Sequence, residues 1–167
     1  MQLSRYLTPE LVELNLDSLV NLDFSEEMSA QRVVRETKGR VVGALVDLLD
    51  RSGKVRNSRR LFRDLYNREK KATTGIGGGV ALPHIRTVQV KEFVIAFARS
   101  EKGLEFEALD GKPVDIFFPM AAPPYDDTFY LRVYKSLADM LRFENTIQEL
   151  RNAGDPHEII RIIRSFE

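Results

Sequence analysis

The order of apolar and polar residues along the chain predicts its first elements. Val12, Leu14 and Leu16 alternate with polar residues, the period-two pattern of a half-buried strand. Apolar residues three, four or seven positions apart then predict a helix over residues 29–51, which Gly53 can close. A second helical pattern covers residues 58–70, with a serine at its start as a suitable N-cap.

Two further strands are predicted in the second half of the chain. The continuous apolar run 93–98 is typical of a central strand covered on both faces. Residues 114–118 form another strand pattern, which Pro119 ends. Both runs are far too short to span a bilayer.

Helical patterns over residues 127–142 and 146–152 follow these strands. A last helix begins at Asp155 and Pro156, a cap followed by a proline at the first helical position. Strands separated by helices predict an α/β fold, with a mixed β-sheet flanked by helices and a single domain over residues 1–167.

Composition narrows the classes of function. The 167 residues contain 25 Lys and Arg against 25 Asp and Glu, so no global field favours nucleic acid or an anionic membrane. Cysteine is absent, which excludes disulfides, thiolate metal sites and cysteine nucleophiles. The two histidines, His84 and His157, have no ligand spacing, so no metal site is predicted. The first residues lack the apolar segment of a signal peptide, and a cytoplasmic protein without direct membrane insertion is expected.

Positive charge is concentrated between residues 51 and 71, where nine Lys and Arg residues stand against Asp64 and Glu69. Three interpretations are open: a solvated helix face, a guide for anions toward the segment that follows, or a nucleic-acid-binding module. The last has the least support, because no aromatic platform or recognition signature accompanies the charges.

A glycine-rich segment follows the basic stretch and contains Gly75, Gly77, Gly78 and Gly79. With four glycines and a proline, residues 72–84 are predicted to lack a regular element. The amides of such a loop can form an anion-binding nest, although a purely structural turn explains the glycines equally well. The segment matches neither a P-loop nor a dinucleotide fingerprint.

Pro83 and His84 end this segment and favour phosphoryl chemistry. The proline restricts the approach of the chain, and a neutral imidazole can accept and release a phosphoryl group without a separate base. That group needs amide donors, hydroxyls and cations around it. The candidates are the glycine amides with Thr73, Thr74, Arg68 and Arg86. The alternative is a histidine that merely caps a loop.

The run from Arg68 to His84, REKKATTGIGGGVALPH, resembles the signature of EIIA domains of the bacterial phosphoenolpyruvate-dependent phosphotransferase system, fructose–mannitol class. The likeness is nearest to the stand-alone nitrogen-regulatory type and continues through 106–114 to the helix at 131–141. It implies a mixed sheet flanked by helices and a phosphohistidine at His84, formed from an HPr-like carrier. It further implies that Arg68 helps to hold the phosphoryl group, that the hydroxyl of Thr74 lies beside the loop, and that no cofactor is needed.

Tyr130 departs from this pattern. Many members of the family carry a second histidine there, whereas tyrosine can donate a hydrogen bond but does not become cationic near neutral pH. We expect Tyr130 to lie near His84 as a packing residue or as a neighbour of the site. Arg86 lies close enough in the sequence to help neutralise a phosphate, and Ile85 replaces the small residue usual after the histidine.

Two roles are compatible with the resemblance. A regulatory phosphoprotein that signals to target proteins through its phosphorylation state is favoured, because no EIIB, EIIC or HPr segment is present in 167 residues. The alternative is a sugar-specific component that passes the group to an EIIB domain of a fructose- or mannitol-type permease. In both roles no contact with nucleic acid is expected.

Overall fold

The computed structural model describes residues 2–167, without the side chain of Asp127; Met1, the first residue of the predicted domain, lies outside it. These residues form an α/β fold, as predicted. The α-helices are α1 (Ala30–Asp50), α2 (Ser58–Lys71), α3 (Asp127–Met140), α4 (Glu144–Asn152) and α5 (Pro156–Arg164). Short 3-10 helices span Leu3–Arg5, Pro9–Leu11 and Leu16–Leu19. The strands are β1 (Val12–Glu13), β2 (Gly75–Gly77), β3 (Val80–Ala81), β4 (His84–Arg86), β5 (Val94–Ile95), β6 (Phe97–Leu104), β7 (Val114–Phe117) and β8 (Met120–Ala122).

The strands form two mixed sheets. The larger has the order β1-β6-β7-β3-β2, in which β1 is parallel to β6, β3 is parallel to β7, and the other pairs are antiparallel. The smaller has the order β4-β8-β5, with β4 parallel and β5 antiparallel to β8. The smaller sheet carries His84, which lies opposite Met120.

The apolar run predicted as one central strand is divided between these sheets. Its first part, β5, pairs with β8, and its second part begins β6 in the larger sheet. Between them, the amide of Ala96 donates to the carbonyl of Pro119, at 3.0 Å, where the neighbouring strands β7 and β8 are divided in the same way. Residues 93–98 are buried in both sheets, so the sequence pattern shows no break.

The helix predictions are confirmed, with small changes at the ends. Ser29 caps α1, and its hydroxyl accepts from the amide of Arg32. The cap of α2 is Asn57 and not Ser58, since the Asn57 side chain accepts from the amide of Arg60. Asp155 caps α5, as the Asp–Pro pair indicates.

The strand predicted over Val12–Leu16 is wrong beyond Glu13. From Leu16 the chain enters a 3-10 helix, because the carboxylate of Asp17 accepts hydrogen bonds from β6. Its donors are the hydroxyl of Ser100 and the amide of Glu101, the latter at 3.0 Å. A side-chain contact therefore replaces the strand ladder.

The glycine-rich segment is also more regular than predicted. Residues 75–81 form a hairpin of β2 and β3, which we call the glycine hairpin. Gly77, Gly78 and Gly79, around its turn, have φ angles of 97°, 66° and 82°, which L side chains rarely adopt. Strand β3 then pairs with β7 and leads directly into His84.

Candidate functional site

His84 lies at the start of β4 in an open cleft of about 560 Å³. The cleft is lined by Arg68 from α2, by His84, Ile85 and Arg86 from β4, and by Pro124 and Tyr130 from the following loop and α3. The backbone of β4 is fixed by its parallel pairing with β8, and the amide of Met120 donates to the carbonyl of Pro83 at 2.9 Å.

The two ring nitrogens of His84 have different roles. Nδ1 lies 2.6 Å from the carbonyl oxygen of Leu82. Because a carbonyl can only accept, Nδ1 carries the proton, and Nε2 keeps its lone pair in the neutral ring. No described residue forms a hydrogen bond with Nε2. The fold therefore leaves Nε2 as the ring nitrogen with an uncommitted lone pair among the described contacts.

The pKa of His84 is lowered from its ordinary value of 6.5, first because burial disfavours the imidazolium. The positive charge of Arg68 also lowers this pKa, whereas the bond to the Leu82 carbonyl and the carboxylate of Glu69 act in the opposite direction. The net shift keeps the ring neutral at pH 7, so the lone pair on Nε2 is available.

Two tyrosines of α3 pack against the imidazole. The ring centroid of Tyr130 lies 5.5 Å from that of His84, which confirms the expected proximity. Tyr134 lies 5.3 Å away in an edge-on arrangement and was not among the residues predicted for the site. The available signal was its spacing, since residues four apart share one face of a helix.

Two guanidinium groups border the cleft. Arg68 lies in the last turn of α2, and its Nη1 donates to the carbonyl of Ala72 at 2.9 Å. No described carboxylate pairs with Arg68, so its charge is not neutralised there. Arg86 lies with its Cζ atom 6.0 Å from the ring centroid of Tyr130. The structure thus brings both arginines to the cleft of one histidine.

The two threonines lie behind the site and do not line the cleft. Thr74 is buried, and both its hydroxyl and its amide donate to the carboxylate of Glu69. The hydroxyl of Thr73 donates to the carbonyl of Phe106 at 3.2 Å and accepts from the amide of Gly75. Their hydroxyls therefore stabilise the base of the glycine hairpin.

A buried ion pair supports this base. The ammonium of Lys38 lies 3.2 Å from the Glu69 carboxylate, with side chains 5% and 1% exposed. Lys38 also lies over the ring of Phe106, 4.8 Å from its centroid. Helix α1, the end of α2 and the start of the hairpin are joined at this point, directly behind Arg68.

The glycine hairpin does not supply an anion nest to His84. The amide of Gly78 donates to Asp110 at 3.0 Å, and the carbonyl of Gly78 accepts from Arg151 at 2.8 Å. A Cβ atom on Gly75 would lie 2.8 Å from the Cα atom of Ala108. Among residues 2–167, none of the four predicted glycines lines the cleft, because their polar groups bond to the surrounding chain.

Among the described residues, three other kinds of functional feature are relevant: a second candidate histidine, a metal site and a membrane-spanning helix. His157 is exposed in the first turn of α5, as expected. Within residues 2–167, no group of histidine and carboxylate side chains could hold a metal ion. None of the described helices combines the length and the apolar character needed to cross a membrane.

Comparison with known proteins places this site in a family. Residues 24–166 match the family described as "Phosphoenolpyruvate-dependent sugar phosphotransferase system, EIIA 2". The chain belongs to this family. The match covers the cleft, the glycine hairpin and α1 to α5, and it confirms the resemblance inferred from the segment before His84.

Individual relatives include both sugar-specific and regulatory proteins. The PTS system fructose-specific EIIABC component of Bacillus subtilis is 31% identical over 100% of this chain, which spans 24% of that protein's length. The nitrogen regulatory protein of Bradyrhizobium diazoefficiens is 34% identical over 64% of this chain and 70% of its own length. The crystal structure of nitrogen regulatory protein IIA-Ntr from Neisseria meningitidis superposes with a TM-score of 0.79, at 26% identity, over 98% of this chain and 99% of that one.

Proposed function

We propose that this chain is a phosphocarrier whose His84 accepts a phosphoryl group from the phosphohistidine of an HPr-like protein. The observation that carries this proposal is that the two ring nitrogens of His84 have different environments. Nδ1 donates to the Leu82 carbonyl, which leaves the lone pair on Nε2 in a cleft bordered by two arginines. A neutral, oriented imidazole is a nucleophile at neutral pH without a separate base.

The transfer step needs no cofactor. The lone pair of Nε2 attacks the phosphorus of the donor phosphohistidine, while the donor N–P bond breaks and its electron pair returns to the donor nitrogen. The Nδ1 proton of His84 stays on its ring throughout, held by the Leu82 carbonyl, so the phosphorylated ring is an imidazolium. The donor ring carries the matching proton on its other nitrogen and leaves as a neutral imidazole. One N–P bond replaces another, so the group remains activated for the next transfer.

Arg68 and Arg86 are placed to balance the charge of the transferred group. A phosphoryl group brings close to two negative charges and three acceptor oxygens. Arg68 keeps N–H groups beyond the one bonded to Ala72, and no described carboxylate neutralises it. A guanidinium can donate two parallel bonds to such oxygens, which favours Arg68 as the principal phosphoryl ligand.

A regulatory role for this phosphocarrier is supported by the full-length superposition on IIA-Ntr. In that role, target proteins distinguish His84 from phospho-His84. The sugar-specific role is supported by the fructose-specific relative, which is similar along the whole chain. There, an EIIB domain receives the group from His84. The two roles share the same site and differ in the acceptor.

The proposal is tested by mapping the phosphate. The purified chain is incubated with a phosphorylated HPr-like carrier, and the acid-labile label is located by mass spectrometry. We expect label on Nε2 of His84 and none in His84→Ala. The matched control is His157→Ala, which removes the exposed histidine of α5 and should be labelled normally.

Label that persists in His84→Ala, or that maps to His157, would overturn the assignment. The acceptor is tested next, with phosphorylated chain and a fructose-type EIIB domain. Rapid discharge to EIIB supports the sugar-specific role. A stable phosphohistidine in that mixture supports the regulatory one.

A further inference from the structure

Tyr134 packs against the imidazole of His84 but has no part in the transfer step described above. It lies on α3, with its ring centroid 5.3 Å from that of His84 and the two ring planes at 65°. We propose that the ring of Tyr134 stabilises the imidazolium that His84 becomes when it carries a phosphoryl group, and thereby determines how far transfer to this chain proceeds. The proposal rests on the phosphocarrier function proposed above and adds a residue to it.

Phosphorylation creates a positive ring in a place that partly disfavours it. A new N–P bond forms at Nε2 while Nδ1 keeps its proton on the Leu82 carbonyl, so this ring gains one positive charge and the donor ring loses one. Burial disfavours that charge and the guanidinium of Arg68 repels it, whereas the Leu82 carbonyl and the Glu69 carboxylate favour it. Arg86 lines the same cleft with a further guanidinium. A neutral group that favours a cation would offset the cost of burial.

An aromatic ring is suited to this task beside a phosphoryl group. A carboxylate in contact with the imidazolium would attract it, but would also repel the negative charge of the phosphoryl group on Nε2. The face of an aromatic ring carries partial negative charge from its quadrupole while the residue stays neutral. Tyr134 can therefore favour the imidazolium without repelling the group that His84 has received.

The contacts of the two tyrosines distinguish Tyr134 from Tyr130. A cation is attracted to an aromatic ring within about 6 Å of the ring centroid, and both tyrosines lie within that distance of the imidazole. The Cζ atom of Arg86 also lies 6.0 Å from the centroid of Tyr130, so two groups share that ring. Among the described aromatic and cation contacts, the ring of Tyr134 has His84 alone. A new cation at His84 therefore does not have to share the Tyr134 ring.

Helix α3 holds this ring in place before any charge develops. Val133 and Leu137, before and after Tyr134 in the helix, are buried in the core. Tyr134 itself is half-buried and packs against that core. Its hydroxyl forms no hydrogen bond among the described contacts, so the ring is the part that interacts with His84. The ring is already positioned when the imidazolium forms, and its contribution requires no reordering of the chain.

The test compares Tyr134→Leu with the parent by two measurements. The first is the equilibrium constant for transfer from the phosphorylated HPr-like carrier, obtained from the amounts of each phosphorylated form. We expect the variant to shift it toward the donor by about two- to fivefold, the size of a cation–π contribution at a partly exposed site. An equilibrium constant does not depend on how the two proteins dock.

The second measurement is an NMR titration of the unphosphorylated His84 ring. The pKa of His84 should be lower in Tyr134→Leu than in the parent, because the substitution removes an attraction that favours the imidazolium. The variant leaves the charged groups Arg68 and Glu69 of α2 and Arg86 of β4 in place. The difference in pKa therefore reports the aromatic ring and not a change of charge around the cleft.

Three further variants separate the charge of the ring face from its volume. Tyr134→Phe removes only the hydroxyl, so both measurements should stay close to the parental values. Tyr66→Leu makes the same change on α2, where the ring stacks on Phe62 at 5.5 Å, and should also leave both values unchanged. Trifluorophenylalanine at position 134 has a less negative face at nearly constant shape, and should lower both values relative to Tyr134→Phe. This last comparison remains decisive if Tyr134→Leu does not fold.

Three results would overturn this role of Tyr134 while the phosphocarrier function stands. The first is an equal equilibrium constant and an equal pKa in the parent and in Tyr134→Leu, which would make the ring a packing residue. The second is a Tyr134→Phe variant as impaired as Tyr134→Leu, which would assign the effect to the hydroxyl. The third is a fluorinated ring that behaves like phenylalanine. A parent chain that is never labelled at His84 would instead contradict the phosphocarrier function, and the titration would still test the contact between the rings.

Discussion

The glycine hairpin and the residues of the His84 cleft follow one another in the chain. They differ in whether their polar groups already have hydrogen-bond partners within the fold. In and behind the hairpin, the amide of Gly78 and the hydroxyl of Thr74 are bonded to Asp110 and Glu69. In the cleft, the lone pair of His84 Nε2 and the charge of Arg68 are left without a described partner. The hairpin is stabilised by these bonds, whereas the cleft leaves Nε2 of His84 and the charge of Arg68 available for a ligand.

The neighbours Arg68 and Glu69 show this difference within one helical turn. Glu69 points inward, where it binds Lys38 and Thr74. Arg68 borders the cleft and is held only through the Ala72 carbonyl among the described contacts. Substitutions at these two positions should therefore affect different properties, one the free energy of unfolding and the other the transfer rate.

The largest effect is expected from Glu69→Gln. It leaves the ammonium of Lys38 buried without its counter-charge, which should lower the free energy of unfolding by about 3 kcal/mol or more. Urea denaturation measures this loss. The matched control is Glu149→Gln, an exposed glutamate of α4, which should change stability by less than about 0.5 kcal/mol. Equal stability of the two variants would contradict the structural role assigned to the hairpin base.

Arg68→Ala should have the converse effect. A hydrogen bond to a charged group contributes roughly 1.5–3 kcal/mol, so transfer to His84, or the lifetime of the phosphohistidine, should fall about tenfold or more. Stability should change little, because no described carboxylate depends on Arg68. Rapid-quench kinetics measure the rate, with Arg63→Ala on the exposed side of α2 as control. Unchanged kinetics would move the role to Arg86.

The smallest effect is expected from Tyr130→Phe. The variant removes the hydroxyl but keeps the ring that packs 5.5 Å from His84, so transfer should proceed at nearly the parental rate. Tyr130→Ala also removes the buried ring and should lower the free energy of unfolding, which separates packing from the hydroxyl. A Tyr130→Phe variant that can no longer be phosphorylated would contradict this expectation. It would show that the tyrosine hydroxyl has replaced the second histidine of the family.

Local patterns were sufficient for most of the helices. The spacing of apolar residues in α1 and the Asp155–Pro156 start of α5 depend on neighbours in the sequence, and the structure confirms both. The sheets depend on partners far along the chain. Nothing in the run 93–98 indicates that Ala96 separates two sheets, because that break is set by Pro119.

The same limit applies to the site. His84 and Arg68 were predicted as site residues from one continuous segment, and the structure places both in one cleft. The resemblance of that segment to the EIIA family is confirmed. Glycine composition could not show whether the amides face a ligand or Asp110, since the aspartate lies 32 residues beyond Gly78. Tyr134 was missed because a tyrosine in an amphipathic helix is explained by packing alone, until the fold brings α3 against β4.

The contact between His84 Nδ1 and the Leu82 carbonyl also has an entropic consequence. Immobilising a side chain at an interface costs roughly 0.5–1.5 kcal/mol in lost rotamer freedom. Here folding has already restricted the imidazole, with Tyr130 and Tyr134 against it, before any partner arrives. In the proposed phosphocarrier function, a donor protein loads this ring and an acceptor protein unloads it. Both find the ring in the same orientation, so the saving applies to each half of the relay.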